Sequence, residues 1–211
     1  MNKISTFRDV RFLLAALGIY AALYLFNNNF YFFNLWHIPQ TPYDLAIPFS
    51  PYWIYIYLAA YLLPVFMFFY LRRINLHLHY LQLFFILTII TNVIFFLFPS
   101  TIDRVPVPMS GVDSVTKLAF ELLFSADKPF NCFPSTHVST SLIAALAVRQ
   151  HPRLYIIFSF IALLISYSAI AIGQHYLYDA LGGAFVAFVT IEIYDRTWGV
   201  LGPALNRVNN K

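Results

Sequence analysis

Long apolar runs divide this chain into segments of helical length, and polar residues are concentrated in the gaps between them. An α-helix rises about 1.5 Å per residue, so a hydrocarbon layer about 30 Å thick needs about 20 apolar residues. Five runs meet that length and a sixth is shorter. The pattern predicts an all-α fold, a six-span transmembrane helical bundle. The predicted spans are 12–30, 52–71, 80–98, 136–148, 154–172 and 176–194.

Two of these spans carry local signals about how they begin and pack. Span 136–148 is the short one, and Ser135, directly before it, is a residue type that caps helix N-termini. We therefore expect that helix to begin below the membrane surface. In the last span, Gly182 and Gly183 indicate close packing against a neighbour, since small residues let membrane helices approach one another.

The basic residues predict an orientation, because cytoplasmic loops of membrane proteins collect lysine and arginine. Six spans put both termini on one side. With that side cytoplasmic, only Arg104, Lys117 and Lys128 of the 13 basic residues lie outside. We expect a multi-pass membrane protein with cytoplasmic N- and C-termini. The ten inner basic residues are Lys3, Arg8, Arg11, Arg72, Arg73, Arg149, Arg153, Arg196, Arg207 and Lys211.

Composition agrees with a membrane setting and limits the classes of function. Charged residues make up 10% of the chain, against roughly 25% in an average soluble domain. The 211 residues leave room for one integral membrane domain, 1–211, and no sizeable soluble one. The single cysteine, Cys132, provides no disulfide framework. We expect no nucleic-acid partner, and the oligomeric state stays open.

The longest polar stretch, 99–133, joins the third and fourth spans and contains all three outer basic residues. Apolar residues within it recur at helical spacing, which predicts an interfacial helix in this long outer loop. A lid over the site is the alternative. The apolar face is Val115, Leu118, Ala119, Leu122 and Leu123, and the charged face is Asp113, Lys117 and Glu121.

Two short polar segments, 134–137 and 175–179, lie at the predicted outer ends of spans. Ionisable groups are energetically costly in a membrane, so those found there are by default candidates for function. His175 and Asp179 are four residues apart and would share a helix face, so the carboxylate can orient the imidazole and stabilise its cation. His137 lies in a first helical turn, which attracts anions such as phosphate. We expect His175 to attack phosphorus while His137 protonates the leaving oxygen, on the extracytoplasmic side. A purely structural His–Asp hydrogen bond is the alternative.

Four further residues are candidates for phosphate binding. Ser135 and Thr136 flank the start of the helix that carries His137. Arg104 is the only arginine on the predicted outer side, and a headgroup contact is its alternative role. Lys128 either adds a second cation or is an exposed loop lysine. We expect no metal ion or other cofactor, because histidine, cations and backbone donors can together stabilise the transferred charge.

These residues resemble the type 2 phosphatidic acid phosphatases, the PAP2 superfamily, over most of the chain. The family's second motif, Pro-Ser-x-His, is matched at 134–137, and the end of its third motif, His-x-x-x-Asp, at His175 and Asp179. The resemblance implies a membrane-embedded helical fold and a membrane lipid phosphate as substrate. It also implies that His175 is the nucleophile, Asp179 its orienting carboxylate and His137 the acid.

The sequence departs from the family's pattern where the family places cations. Its first motif, Lys-x6-Arg-Pro, appears as Arg104-Val105-Pro106 with an inserted valine, and Leu97 stands at the lysine position. Its third motif usually opens with Ser-Arg, whereas here Ser168 is followed by Ala169. The remaining pattern is similar to a branch that includes inositol phosphorylceramide synthases, and sphingomyelin synthases share its two histidines and aspartate.

Three hypotheses of function follow. The first is an integral membrane lipid phosphatase that hydrolyses a lipid phosphate or diphosphate at the extracytoplasmic face through a phosphohistidine intermediate. The second is a lipid headgroup phosphotransferase similar to inositol phosphorylceramide or sphingomyelin synthases. The third is a non-catalytic membrane transporter or scaffold that retains the fold. The sequence does not identify the lipid.

Overall fold

Helices account for 73% of the residues and strands for 3%, so the predicted all-α fold is confirmed. The computed structural model describes residues 3–104 and 110–208, with side chains described for 7–104 and 110–197. Val105, Pro106 and Lys211 lie outside the described residues. Within the described chain the α-helices are α1 (Lys3–Asn29), α2 (Pro42–Ala46), α3 (Ile54–Arg72), α4 (His77–Leu97), α5 (Ser114–Ala126), α6 (Thr136–Leu146), α7 (Pro152–Ala171) and α8 (Leu177–Val208).

Five apolar segments in the described chain are long enough to cross a membrane, and each overlaps a predicted span. Together they identify a multi-pass membrane protein. The segments are Phe7–Asn29, Pro51–Arg72, His77–Leu97, Pro152–Ala171 and Leu177–Thr197.

The sixth predicted span, 136–148, corresponds to α6, which has 11 residues and is therefore about 16 Å long. Helix length alone thus supports five spans and leaves the sixth a prediction. α6 occupies the centre of the bundle, packed against α3, α4, α7 and α8. All of its residues except Leu142 are buried. Because its neighbours shield it from lipid, α6 can carry hydroxyl side chains that a lipid-facing helix would expose.

Short strands connect the loops by backbone hydrogen bonds at the end of the bundle where α6 begins. β1 (Trp36–His37) pairs in parallel with β2 (Ser100–Thr101), and Thr101 forms an antiparallel bridge with Phe130. The Oγ atom of Ser100 accepts a hydrogen bond from the N–H of Phe133 at 2.8 Å. The loops that follow α1, α4 and α5 therefore converge beside the N-terminus of α6.

The helix predicted within the long loop is present as α5. Asp113, assigned above to its charged face, is instead its N-cap, accepting hydrogen bonds from the N–H groups of Val115 and Thr116 at 3.0 Å each. Phe120 and Leu123 are buried against the bundle. Other apolar side chains of α5 remain exposed, namely Val115, Leu118 and Leu122.

Candidate active site

The turn between α7 and α8 fixes the backbone of His175. Gly173 ends α7 with a φ of +69°, a left-handed conformation that glycine adopts without steric cost. The carbonyl oxygen of Ala169 accepts hydrogen bonds from the N–H groups of Gln174 at 3.0 Å and His175 at 3.1 Å. His175 is thus held in place before α8 begins at Leu177.

Asp179 lies in the first turn of α8, fully buried. Its Oδ2 atom is 3.4 Å from Nδ1 of His175 and accepts a hydrogen bond from the N–H of Tyr176 at 2.8 Å. The prediction that the pair shares a face of one helix is wrong, because His175 precedes α8, yet the predicted contact is present. With Nδ1 facing the carboxylate, Nε2 is the ring nitrogen left for a substrate.

The start of α6 is joined directly to α8. The predicted N-cap is confirmed, since Oγ of Ser135 accepts a hydrogen bond from the N–H of Val138 at 3.5 Å. The N–H of Ser135 donates to the carbonyl oxygen of Asp179 at 2.9 Å. A Cβ on Gly183 would meet the Ser135 carbonyl oxygen, and a Cβ on Gly182 would overlap the ring of Phe133. The close packing predicted at both glycines is therefore confirmed.

These contacts bring His137 and His175 together, with ring centroids 5.7 Å apart. The two residues are 5% and 6% exposed, respectively. Tyr57 stacks on His137 at a centroid distance of 4.2 Å, and Tyr61 meets the same ring edge-on at 4.8 Å. Thr136, the first residue of α6, is also buried. The three predicted catalytic residues thus share one site.

The two predicted cations are engaged with other partners. Arg104 lies over the ring of Phe124, with its guanidinium carbon 5.0 Å from the centroid, and its Nη1 atom donates to the carbonyl oxygen of Asp127 at 2.8 Å. Lys128 is exposed, and its Nζ atom donates to Oδ1 of Asn29 at 2.7 Å. The buried end of α6 is therefore the part of the predicted phosphate site that the structure places beside the histidines.

Asp127 is a buried carboxylate that sequence reasoning missed. The hydroxyls of Tyr24 and Tyr61 donate to its Oδ1 and Oδ2 atoms at 2.7 Å and 3.5 Å, and Nδ2 of Asn28 donates to Oδ1 at 3.5 Å. Burial raises the pKa of Asp127 above the ordinary aspartate value, while the Tyr24 hydrogen bond and the charge of Arg104 oppose that shift. No motif or spacing in the sequence relates Asp127 to the histidines.

Asp44 is a second buried carboxylate near the site, on α2. Its Oδ1 atom accepts a hydrogen bond from the N–H of Leu177 at 2.7 Å, and its Oδ2 atom accepts from the N–H and hydroxyl of Thr41, both at 2.7 Å. The α2 segment is thereby tied to the N-terminus of α8, where negative charge is favourable. A cavity of about 200 Å³ lies between this segment and the turn that joins α7 to α8, lined by residues that include Gln40, Asp44, Pro48, Phe49, Gly173 and His175.

Fold and site define a class: a multi-pass helical membrane protein with a buried pair of histidines, one of them held by an aspartate. The family model of the PAP2 superfamily matches residues 31–193, and the chain belongs to this superfamily. Its members are generally phosphatases or phosphotransferases. No curated protein matches the chain. The resemblance to inositol phosphorylceramide synthases stays a prediction.

Proposed function

We propose that this protein is an integral membrane lipid phosphatase that hydrolyses a lipid phosphate or diphosphate through a phosphohistidine on His175. One observation carries the proposal: His137 and His175 lie 5.7 Å apart between ring centroids, with Asp179 behind His175 and the N-terminus of α6 beside both. A nucleophile, an acid and an anion-binding helix end are the parts that phosphoryl transfer requires.

In the first step Nε2 of His175 forms a bond to phosphorus as the bond to the leaving oxygen breaks. His137 gives its Nε2 proton to that oxygen, so a monophosphate releases the lipid alcohol and a diphosphate releases the lipid phosphate. Asp179 faces Nδ1 of His175 at 3.4 Å and stabilises the positive charge that the imidazole acquires. In the second step water attacks phosphorus, its proton passes to His137, and free phosphate leaves His175.

Charge on the phosphoryl oxygens needs compensation during both steps. The free N–H groups at the start of α6 and the positive end of its dipole supply part of it. Arg104, whose Nη1 atom donates to the carbonyl oxygen of Asp127 at 2.8 Å, is the proposed cation of the site. Ser135 and Thr136 contribute their positions at the helix start, and Lys128 is the weakest member of the proposed set.

The proposed reaction takes place at the extracytoplasmic face of a six-span bundle with both termini in the cytoplasm. α6 acts as the short fourth span, which is possible because four neighbouring helices shield it from lipid. The exposed residues Val115, Leu118 and Leu122 support an interfacial position for α5 in the outer leaflet. The distribution of lysine and arginine supports the orientation.

Headgroup transfer is the second candidate, and the cavity beside His175 is the observation that favours it. A space of about 200 Å³ is larger than one attacking water needs. An acceptor alcohol seated there would attack the phosphohistidine in place of water.

The test uses purified protein in detergent with a panel of lipid phosphates and diphosphates, with and without lipid alcohols and inositol. Hydrolysis predicts free phosphate, whereas transfer predicts a new phospholipid and little free phosphate. His175→Ala and His137→Ala should each abolish nearly all product. A wild-type protein that forms neither product over the whole panel would favour the non-catalytic transporter or scaffold.

A further inference from the structure

His137 is linked through two tyrosines to a buried carboxylate. The hydroxyl of Tyr57 lies 3.3 Å from Nδ1 of His137. Tyr61, one helical turn further along α3, meets the Tyr57 ring edge-on, with the ring centroids 6.1 Å apart. The Tyr61 hydroxyl in turn donates to Oδ2 of Asp127 at 3.5 Å. The series runs from the ring of the proposed acid to an aspartate on a different loop.

The carboxylate at the end of this series is held in place from several sides. Tyr24 and Asn28, both on α1, donate to its Oδ1 atom. Arg104 donates to the carbonyl oxygen of Asp127 at 2.8 Å. A buried carboxylate with this many partners costs desolvation energy that simple packing would avoid. Neither step of the proposed reaction involves this carboxylate.

We propose that Tyr57, Tyr61 and Asp127 form a positioning network for His137, and the proposal rests on the function proposed above. Nδ1–H of His137 donates to the Tyr57 oxygen, the Tyr57 hydroxyl to the Tyr61 oxygen, and the Tyr61 hydroxyl to the carboxylate. This direction of donation fixes the proton on Nδ1 and turns Nε2 toward the leaving oxygen. It also stabilises the imidazolium form that acts as the acid. Asp127 thus orients His137 and stabilises its cation through two tyrosine hydroxyls, whereas Asp179 does the same for His175 by direct contact.

The test compares Tyr57→Phe and Asp127→Asn with Tyr55→Phe. The control removes a tyrosine hydroxyl from the same helix, one that pairs with Thr116 at 2.8 Å and lies outside the network. Each variant is assayed on the alkyl lipid phosphate that the wild-type protein turns over fastest and on p-nitrophenyl phosphate. A poor alkoxide leaving group needs the acid, whereas nitrophenolate leaves without it.

We expect kcat for the alkyl phosphate to fall roughly 10-fold or more in both network variants, with KM nearly unchanged. The pre-steady-state burst of nitrophenolate, which reports the first step alone, should keep nearly its wild-type rate. Tyr55→Phe should match the wild-type protein in both measurements. Equal losses in the two measurements, or no loss in either, would overturn the network. Thermal unfolding in detergent identifies a variant that is merely unfolded.

Nitrogen NMR of histidine-labelled protein supplies a readout that needs no turnover. The network predicts a proton on Nδ1 of His137 in the wild-type protein and a changed Nδ1 resonance in Tyr57→Phe, but not in Tyr55→Phe. If the wild-type protein hydrolyses nothing, the proposed function fails and this spectrum decides the network by itself. An unchanged His137 resonance in Tyr57→Phe would then reject it.

Discussion

At the scale of single residues, Ala169 explains why this site has fewer cations than the family pattern. Its backbone carbonyl holds His175. Its side chain is fully buried in an apolar cluster with Phe120 and Ile172, where a guanidinium would lose its hydration. Leu97, which stands at the lysine position of the family's first motif, is exposed at the end of α4. Charge compensation in the proposed reaction therefore depends on Arg104 and the helix end.

The role of Asp179 predicts the effect of an isosteric change. Asp179→Asn keeps the shape but removes the charge that faces Nδ1 of His175, so we expect kcat to fall roughly 100-fold or more with a folded protein. Asp195→Asn is the matched control, because Asp195 lies more than about four helical turns further along α8 and pairs with Arg149. Initial rates on a lipid phosphate measure the effect. Activity of Asp179→Asn within a factor of about two of wild type would contradict the assigned role.

At the scale of helices, the close approach of α8 to the start of α6 sets the distance between the two histidines. Gly183→Ala would force a Cβ against the carbonyl oxygen of Ser135, and overpacking of this kind typically costs about 1–3 kcal/mol. We expect a lower unfolding temperature and a loss of activity larger than the stability loss explains. Activity and thermal unfolding are measured on the same preparation.

Gly18→Ala is the matched control on α1, where a Cβ would meet nothing within 4 Å. It should keep full activity and equal or exceed the wild-type stability, since alanine favours a helix over glycine. A Gly183→Ala protein as active and stable as Gly18→Ala would contradict the close packing of α6 and α8.

The helices were more predictable from sequence than the site's supporting contacts. Hydropathy located five spans because burial in lipid demands long apolar runs, and Ser135 marked the start of α6 through a local capping rule. Asp127 could not be found this way, since its partner Tyr24 is 103 residues away in the chain. Hydrogen bonds between distant segments leave no spacing signal, and a tyrosine in an apolar run is equally typical of a membrane interface.

At the scale of the whole molecule, the proposed orientation predicts which loops are accessible from outside. Cys132 is the single cysteine of the sequence and is buried. A Cys132→Ser protein is therefore free of cysteine, and single cysteines can be introduced into it at exposed positions. In intact cells a membrane-impermeant maleimide should label Glu121→Cys on α5 and spare Arg153→Cys at the start of α7. Permeabilised cells should show both labelled. The reverse pattern in intact cells would contradict the orientation and place the histidines on the cytoplasmic side.

The measurement that tests the central claim most directly is trapping of the covalent intermediate. Purified protein is mixed with a lipid phosphate radiolabelled at phosphorus, quenched in alkali within one turnover, and mapped by peptide. We predict acid-labile, alkali-stable phosphate on His175 and none in His175→Ala. The label should also form in His137→Ala when radiolabelled p-nitrophenyl phosphate replaces the lipid phosphate, because nitrophenolate leaves without an acid. Turnover without labelled His175, or equal labelling of His175→Ala, would contradict the account.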